Sequence, residues 1–246
     1  LGDRFGAAQS TKSLGDVLRM QDRMEEAART YKEAEAAFEA LGDRLGVTLC
    51  MKGLGDVLLV QHNYEDAARA LEKANDAFEQ IGGRLGMARC KRSFGDLFSL
   101  QRHYEEAAQN FEEAKTTLME LGDQRGAGHC MYSLAQMLCS QGHCEEAARM
   151  LKEAKAAFDE SGERRGVANC TKLSGWLSWQ QGHPEEAKIM WMQARVMFCE
   201  LKLTREVEMC EGLLCELRDG MTEGSGGMEL PRFQGLIFVI GEDGQV

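Results

Sequence analysis

Residues 41–80 read LGDRLGVTLCMKGLGDVLLVQHNYEDAARALEKANDAFEQ, and the chain writes that block five times. Blocks beginning at Leu1, Leu41, Ile81, Leu121 and Ser161 align without insertion or deletion. Leu54-Gly55-Asp56 answers Leu14-Gly15-Asp16 and Phe94-Gly95-Asp96. Gln21, Gln61, Gln101, Gln141 and Gln181 form one column. Ala27, Ala67, Ala107, Ala147 and Ala187 form another, and Ala34, Ala74, Ala114, Ala154 and Ala194 a third. A fixed period of 40 residues is the mark of a solenoid, whose units stack on a shared core. Solenoids ordinarily present a long surface to a partner.

Within a block the apolar residues recur at helical spacing. Val47, Cys50, Leu54, Val57 and Leu58 predict a helix from about Arg44 to Val60, with Asp43 as its N-cap. Gln61-His62-Asn63 makes a turn. Ala67, Leu71, Ala74, Ala77, Phe78 and Ile81 then form the stripe of a second helix from about Tyr64 to Gln80. Glu65 and Asp66 suit its N-terminal dipole, and Gly82 is placed to end it. The short links make the helices of each pair antiparallel. Gly15, Gly55, Gly95 and Gly175 sit inside the first helices, where Gly costs roughly 1 kcal/mol against Ala. That recurrence implies a partner helix too close for a larger side chain. Tyr31, Leu71, Phe111, Leu151 and Trp191 are the large residues expected opposite.

The spacing of Leu-Gly, a large residue and the two Ala columns resembles the tetratricopeptide repeat (TPR) over residues 1–200. The resemblance implies an all-α fold, a right-handed superhelix of antiparallel helix pairs whose first helices line a concave face. The expected organisation is repeats 1–40, 41–80, 81–120, 121–160 and 161–200, with a capping helix over 201–218. In that cap Leu201, Val207, Cys210, Leu214 and Leu217 are expected to cover the core, and Glu206, Glu208, Glu211 and Glu216 to face water. Residues 219–246 read as a Gly-rich linker and an apolar tail, flexible or truncated; Pro231 to Gly241 has strand character. The sequence departs from the TPR pattern in three ways. Thr11, Met51, Lys91, Met131 and Thr171 replace an aromatic, the closing proline is missing, and the period exceeds 34. The longer repeat resembles TPR arrays of kinesin light chains and G-protein signalling modulators. The Gly-Asp-Arg junctions resemble the C-terminal arrays of STAND-type signalling NTPases.

On that concave face four columns are expected. Lys12, Lys52, Arg92, Tyr132 and Lys172 make one, and Asp16, Asp56, Asp96, Gln136 and Trp176 lie four residues on. Arg19, Leu59, Ser99, Cys139 and Trp179 form the third; Gln9, Leu49, Arg89, His129, Asn169 and Met209 form the fourth. Two readings of the charges compete. Lys-Asp pairs four apart can simply neutralise each other on a solvated face, contributing about 0.2–0.5 kcal/mol per pair. Alternatively they form a charge ladder that recognises an extended peptide. The Asp column does not match the carboxylate clamp of chaperone-binding TPR domains. Trp176 and Trp179 either anchor a ligand, with Tyr132 and Lys172 completing an apolar and cationic pocket, or pack against the cap or tail. Under the first alternative the C-terminal end binds more tightly. Trp191 falls in the core column.

The remaining composition excludes rather than assigns. A net charge of −11 argues against nucleic acid and anionic membranes. No apolar run reaches the roughly 20 residues that span a bilayer. Five of nine cysteines share one column, Cys50, Cys90, Cys130, Cys170 and Cys210. Stacking separates them beyond the ~7 Å Cα limit of a disulfide, so they read as small buried residues of a protein in the reducing cytosol. His103, His143 and His183 share a turn column and predict no metal site. The acidic pairs such as Glu65-Asp66 open second helices and form no catalytic dyad. Cys139 and Cys144 lack a catalytic Cys/His arrangement, and no phosphate-binding loop occurs. The expected function is therefore a non-enzymatic, cofactor-free scaffold that binds a protein or peptide. One alternative is the regulatory arm of a STAND-type NTPase, touching another domain of a parent chain. Leu1-Gly2-Asp3 reads as the end of a repeat and is compatible with that. Another is a spacer that binds nothing.

Overall fold

A computed structural model describes residues 3–222, with side chains described as far as Leu217. The described residues form helices joined by links of two or three residues. Residue contacts divide the chain into two compact units. The first carries α1 (Arg4–Met20), α2 (Met24–Leu41), α3 (Arg44–Val60), α4 (Tyr64–Gln80), α5 (Arg84–Leu100) and α6 (Tyr104–Glu120). The second carries α7 (Gln124–Ser140), α8 (Cys144–Ser161), α9 (Arg164–Gln180), α10 (Pro184–Glu200) and α11 (Thr204–Thr222). In each unit every helix packs on the next in sequence, and the first helices of neighbouring repeats also touch: α1 on α3 and α3 on α5, and α7 on α9.

The expected bounds of α3 and α4 hold, and the helix ends show why. Asp3 and Asp123 accept hydrogen bonds from the Gly6 and Gly126 amides at 2.8 Å, using one carboxylate oxygen each. Asp43 stands at the same N-cap position without a side-chain cap bond. Gly82 takes φ +69° just past α4, the left-handed conformation that ends a helix at low steric cost. His103, His143 and His183 occupy N-cap positions without side-chain cap bonds.

The Gly column meets the large column as expected. A Cβ on Gly15 would lie 3.0 Å from the Tyr31 ring, on Gly55 2.8 Å from Leu71, on Gly95 2.6 Å from Phe111 and on Gly175 2.7 Å from Trp191. Repeat four holds Ala135 at this position and the smaller Leu151 opposite, both buried. A second Gly column performs the same service between repeats. Gly46 abuts Phe38, Gly86 abuts Phe78, and a Cβ on Gly166 would lie 2.5 Å from the Phe158 ring. Cys50 packs with Ala34 and Phe38, Cys90 with Ala74 and Phe78, and Cys210 with Ala194 and Phe198. The whole cysteine column is buried and reduced. Burial pushes the Cys50, Cys90 and Cys170 thiols up to about 12.

The cap differs from expectation in two respects. Cys210, Leu213 and Leu217 of α11 are buried, and Glu208, Glu211 and Glu216 are exposed. Glu206, however, is 5% exposed. It accepts a hydrogen bond from Lys172 Nζ of α9 at 2.5 Å, and pairing is what permits a carboxylate to be buried. The helix also continues to Thr222, through residues expected in the linker; a single Gly220 costs only about 1 kcal/mol. The apolar run Pro231 to Gly241 lies outside the described residues.

The Gly-large contact predicts an outcome against helix propensity. Gly95→Ala gains ~1 kcal/mol of propensity, yet it destabilises the first unit because overpacking costs about 1–3 kcal/mol. Combining it with Phe111→Leu recreates the Ala135/Leu151 pair of repeat four. Urea unfolding of both single variants and the double variant should show favourable coupling of ~1 kcal/mol; additive losses would show that the ring does not set the helix spacing.

Candidate functional site

The charged columns of the first helices pair as their spacing implies, but they are not a solvated face. Lys12 Nζ donates to Asp16 and Lys52 Nζ to Asp56, each at 2.8 Å. Lys12 and Lys52 are 9% and 8% exposed, and Asp56 only 1%. Each carboxylate also ties its helix to another. Tyr31 Oη of α2 donates to Asp16 Oδ1, and Ser93 Oγ of α5 donates to Asp56 Oδ1, both at 2.7 Å. Asp56 therefore joins consecutive repeats through a buried hydrogen bond. Burial alone pushes its carboxyl up, but Lys52, Arg19 and Arg92 outweigh that and hold it below the ordinary carboxylate range. Burial likewise pushes the Tyr31 phenol up, keeping it a neutral donor.

Within the first unit these residues edge a pocket of about 290 Å³. Lys12, Asp16, Arg19, Leu49, Lys52, Asp56 and Arg89 line it, seven members of the expected concave columns. Arg92, buried at 1% exposure, and half-buried Asp96 fall outside its lining. The rest of its wall includes residues outside those columns: Tyr31, Phe78, and the apolar Leu45 and Leu85. Leu45 and Leu85 are 50% and 39% exposed. They share a column with Phe5, Arg125 and Arg165, so a change of character down that column was the available signal.

In the second unit the expected residues are largely absorbed by packing. His129 meets Phe158 edge to face at 4.9 Å between ring centres. Tyr132 and Gln136 are buried, and burial raises the Tyr132 phenol. Lys172 is paired with Glu206 and lies 5.4 Å from the centre of the Phe198 ring. Trp191 is core, and its Nε1 donates to the Lys172 carbonyl at 3.1 Å. Trp179, 8% exposed, tilts against Trp191 at 6.2 Å. Trp176 is half-buried.

Among the described residues no group of three or more His, Cys, Asp or Glu side chains could hold a metal ion. No helix among them is long and apolar enough to cross a membrane.

Buried and half-exposed pairs separate on mutation. Asp56→Ala removes the buried carboxylate that accepts from Lys52 and Ser93 and should cost about 3–5 kcal/mol, whereas Asp16→Ala at the partly exposed pair should cost about 1 kcal/mol or less. Because the folded Asp56 value is depressed, its contribution is present above the unfolded value of about 4 and lost as pH falls through the folded value. Asp56→Asn should therefore flatten the acid limb of a Tm-against-pH curve. Equal losses for Asp16 and Asp56, or an unchanged acid limb, would contradict the burial assigned to Asp56.

Tetratricopeptide repeat family models match residues 47–120 and 128–157. No curated protein matches the chain. Among solved structures, the chain is similar to the Rap conjugation gene regulator of the plasmid pLS20, solved in complex with the Phr* peptide. Identity is 16% and the TM-score 0.72, over 81% of this chain and 55% of that one. It is similar to a STAND signal-transduction ATPase with a tetratricopeptide repeat sensor from Pyrococcus horikoshii, at 15% identity and TM-score 0.61, over 92% of this chain and 35% of that one. It is also similar to the nearly identical TPR-like repeats of a kinesin-light-chain-like protein from Podosopora anserina, at 12% identity and TM-score 0.55, covering 82% and 99%. The chain thus spans about half of the Rap regulator and a third of the STAND protein. Such identities establish the fold alone. Repeating helix pairs, Gly-large contacts, family matches and these folds agree: the chain is a tetratricopeptide-repeat array.

Proposed function

We propose that the array is a non-enzymatic interaction module that holds a peptide or protein on the face of its first helices. The observation that carries this reading is the pocket of the first unit, where α1, α3 and α5 bring Lys12, Asp16, Lys52, Asp56 and Arg89 together. A concave apolar surface with a few placed polar groups is the usual form of a ligand site. The Rap regulator of similar fold was solved with a peptide, which lends the reading support by analogy only. In the second unit the proposal centres on half-buried Trp176 rather than on Lys172, whose charge is already matched by Glu206. Nine free thiols suit a reducing, cytosolic setting. A second reading, that the array is the sensor arm of a STAND-type NTPase, is favoured by the coverage of 92% of this chain by one such protein.

Peptide display against the full chain tests the first reading. Selected binders should lose about tenfold or more in affinity for Arg89→Ala, or for Trp176→Ala with Trp179→Ala. Arg69→Ala on α4, whose side chain is 66% exposed, should leave them unchanged. Binders sensitive to Arg69→Ala and to neither first-helix variant would defeat the proposal.

A further inference from the structure

We infer that the pocket of the first unit anchors the bound polypeptide by one large, uncharged apolar side chain, seated between the first turns of α3 and α5. The inference rests on the interaction reading above and gives it a ligand chemistry. The charged part of the wall is engaged from within the fold. Lys12 and Tyr31 hold Asp16, and Lys52 and Ser93 hold Asp56. Arg19 acts on the Asp56 carboxyl, and Arg89 is likewise not without a partner. A ligand carboxylate or ammonium would lose water here and then compete for groups already engaged. An apolar side chain has no such cost.

The accessible part of the wall is apolar. Leu45 and Leu85 are 50% and 39% exposed at the start of α3 and α5. Leu49, one turn beyond Leu45 on the same helix face, packs on the buried cluster of Ala74, Phe78 and Cys90. The apolar surface therefore runs from the exposed leucines into the core, and covering it is what favours association. Gly53, Gly83 and Gly86 also line the pocket, and they add no side chain that would fill it. A cavity of about 150 Å³ accepts a benzene ring. A volume of about 290 Å³ thus suits one large side chain with its adjoining backbone, not a folded domain. The combination is absent from the second unit, where Arg125 and Arg165 stand in the column of Leu45 and Leu85, and His129 and Asn169 in that of Leu49. The apolar mouth belongs to the first unit and is not a surface every repeat displays.

The test measures fluorescence anisotropy of the full chain with short labelled peptides alternating Leu with Gln, Ala with Gln, Leu with Glu or Leu with Lys. Salt of about 0.15 M keeps long-range attraction screened. The Leu-Gln peptide should bind at least about tenfold more tightly than Ala-Gln, with neither charged peptide tighter than Leu-Gln. Raising the salt should change the Leu-Gln affinity by less than about twofold. Leu45→Arg with Leu85→Arg installs the side chain that the column already carries as Arg125 and Arg165, so the fold should tolerate it; Leu-Gln affinity should drop about tenfold. Met119→Arg on α6, where Met119 is 52% exposed, should leave it unchanged. Leu-Gln binding no tighter than Ala-Gln, a tenfold preference for either charged peptide, or unchanged affinity in the double variant would overturn the inference. If displayed peptides respond to Arg89→Ala yet carry no large apolar residue, or ignore the double variant, the interaction reading survives and this inference falls.

Discussion

The close approach of two helices within each repeat is the constraint on which the rest depends. It is set where a glycine faces a large side chain: Gly15 and Tyr31, Gly55 and Leu71, Gly95 and Phe111, Gly175 and Trp191. Each such Gly gives up helix propensity of roughly 1 kcal/mol. Each buries a side chain whose transfer from water contributes about 1.5–3 kcal/mol, so packing wins. A second set of glycines, Gly46, Gly86 and Gly166, lets the phenylalanine ending one repeat seat against the helix opening the next. The two sets fix spacing within and between repeats.

Once that spacing is fixed, the charged columns can no longer behave as surface residues. The first helices touch along α1, α3 and α5, and the Lys52–Asp56 pair is drawn between them. Asp56 then needs partners, and it has Lys52 and Ser93 within hydrogen-bond distance with Arg19 and Arg92 in the surrounding field. The network has a structural role of its own, and it also supplies the fixed charges of the pocket wall.

Much of this was legible in the sequence because a strict period makes local chemistry repeat. The bounds of α3 and α4, the Gly-large pairing and the buried cysteines all follow from columns of like residues. The Lys-to-Asp partners at i+4 were also legible, since helix geometry dictates them. What a column does not reveal is how much water remains around it. The burial of Asp56, and the pairing of Lys172 with Glu206 across 34 residues, depend on stacking and not on spacing along one helix. Trp179 illustrates the same limit. Its column is shared with Arg19 and Leu59, and only the packing on Trp191 shows that its ring is largely committed to the core. Leu45 and Leu85 belong to a column that changes from apolar to basic along the array, so it lacks the repetition that makes the other columns legible.

The functional account reduces to a statement about which side of the array meets a partner. Hydroxyl-radical footprinting of the full chain, with and without a saturating bound peptide, reads that directly from side chains. Leu45 and Leu85 are exposed on first helices, whereas Ile189, Met192 and Val196 are exposed on the second helix α10. The account predicts that Leu45 and Leu85 lose reactivity on binding while Ile189, Met192 and Val196 keep theirs. Protection of the α10 residues with Leu45 and Leu85 unchanged would contradict it.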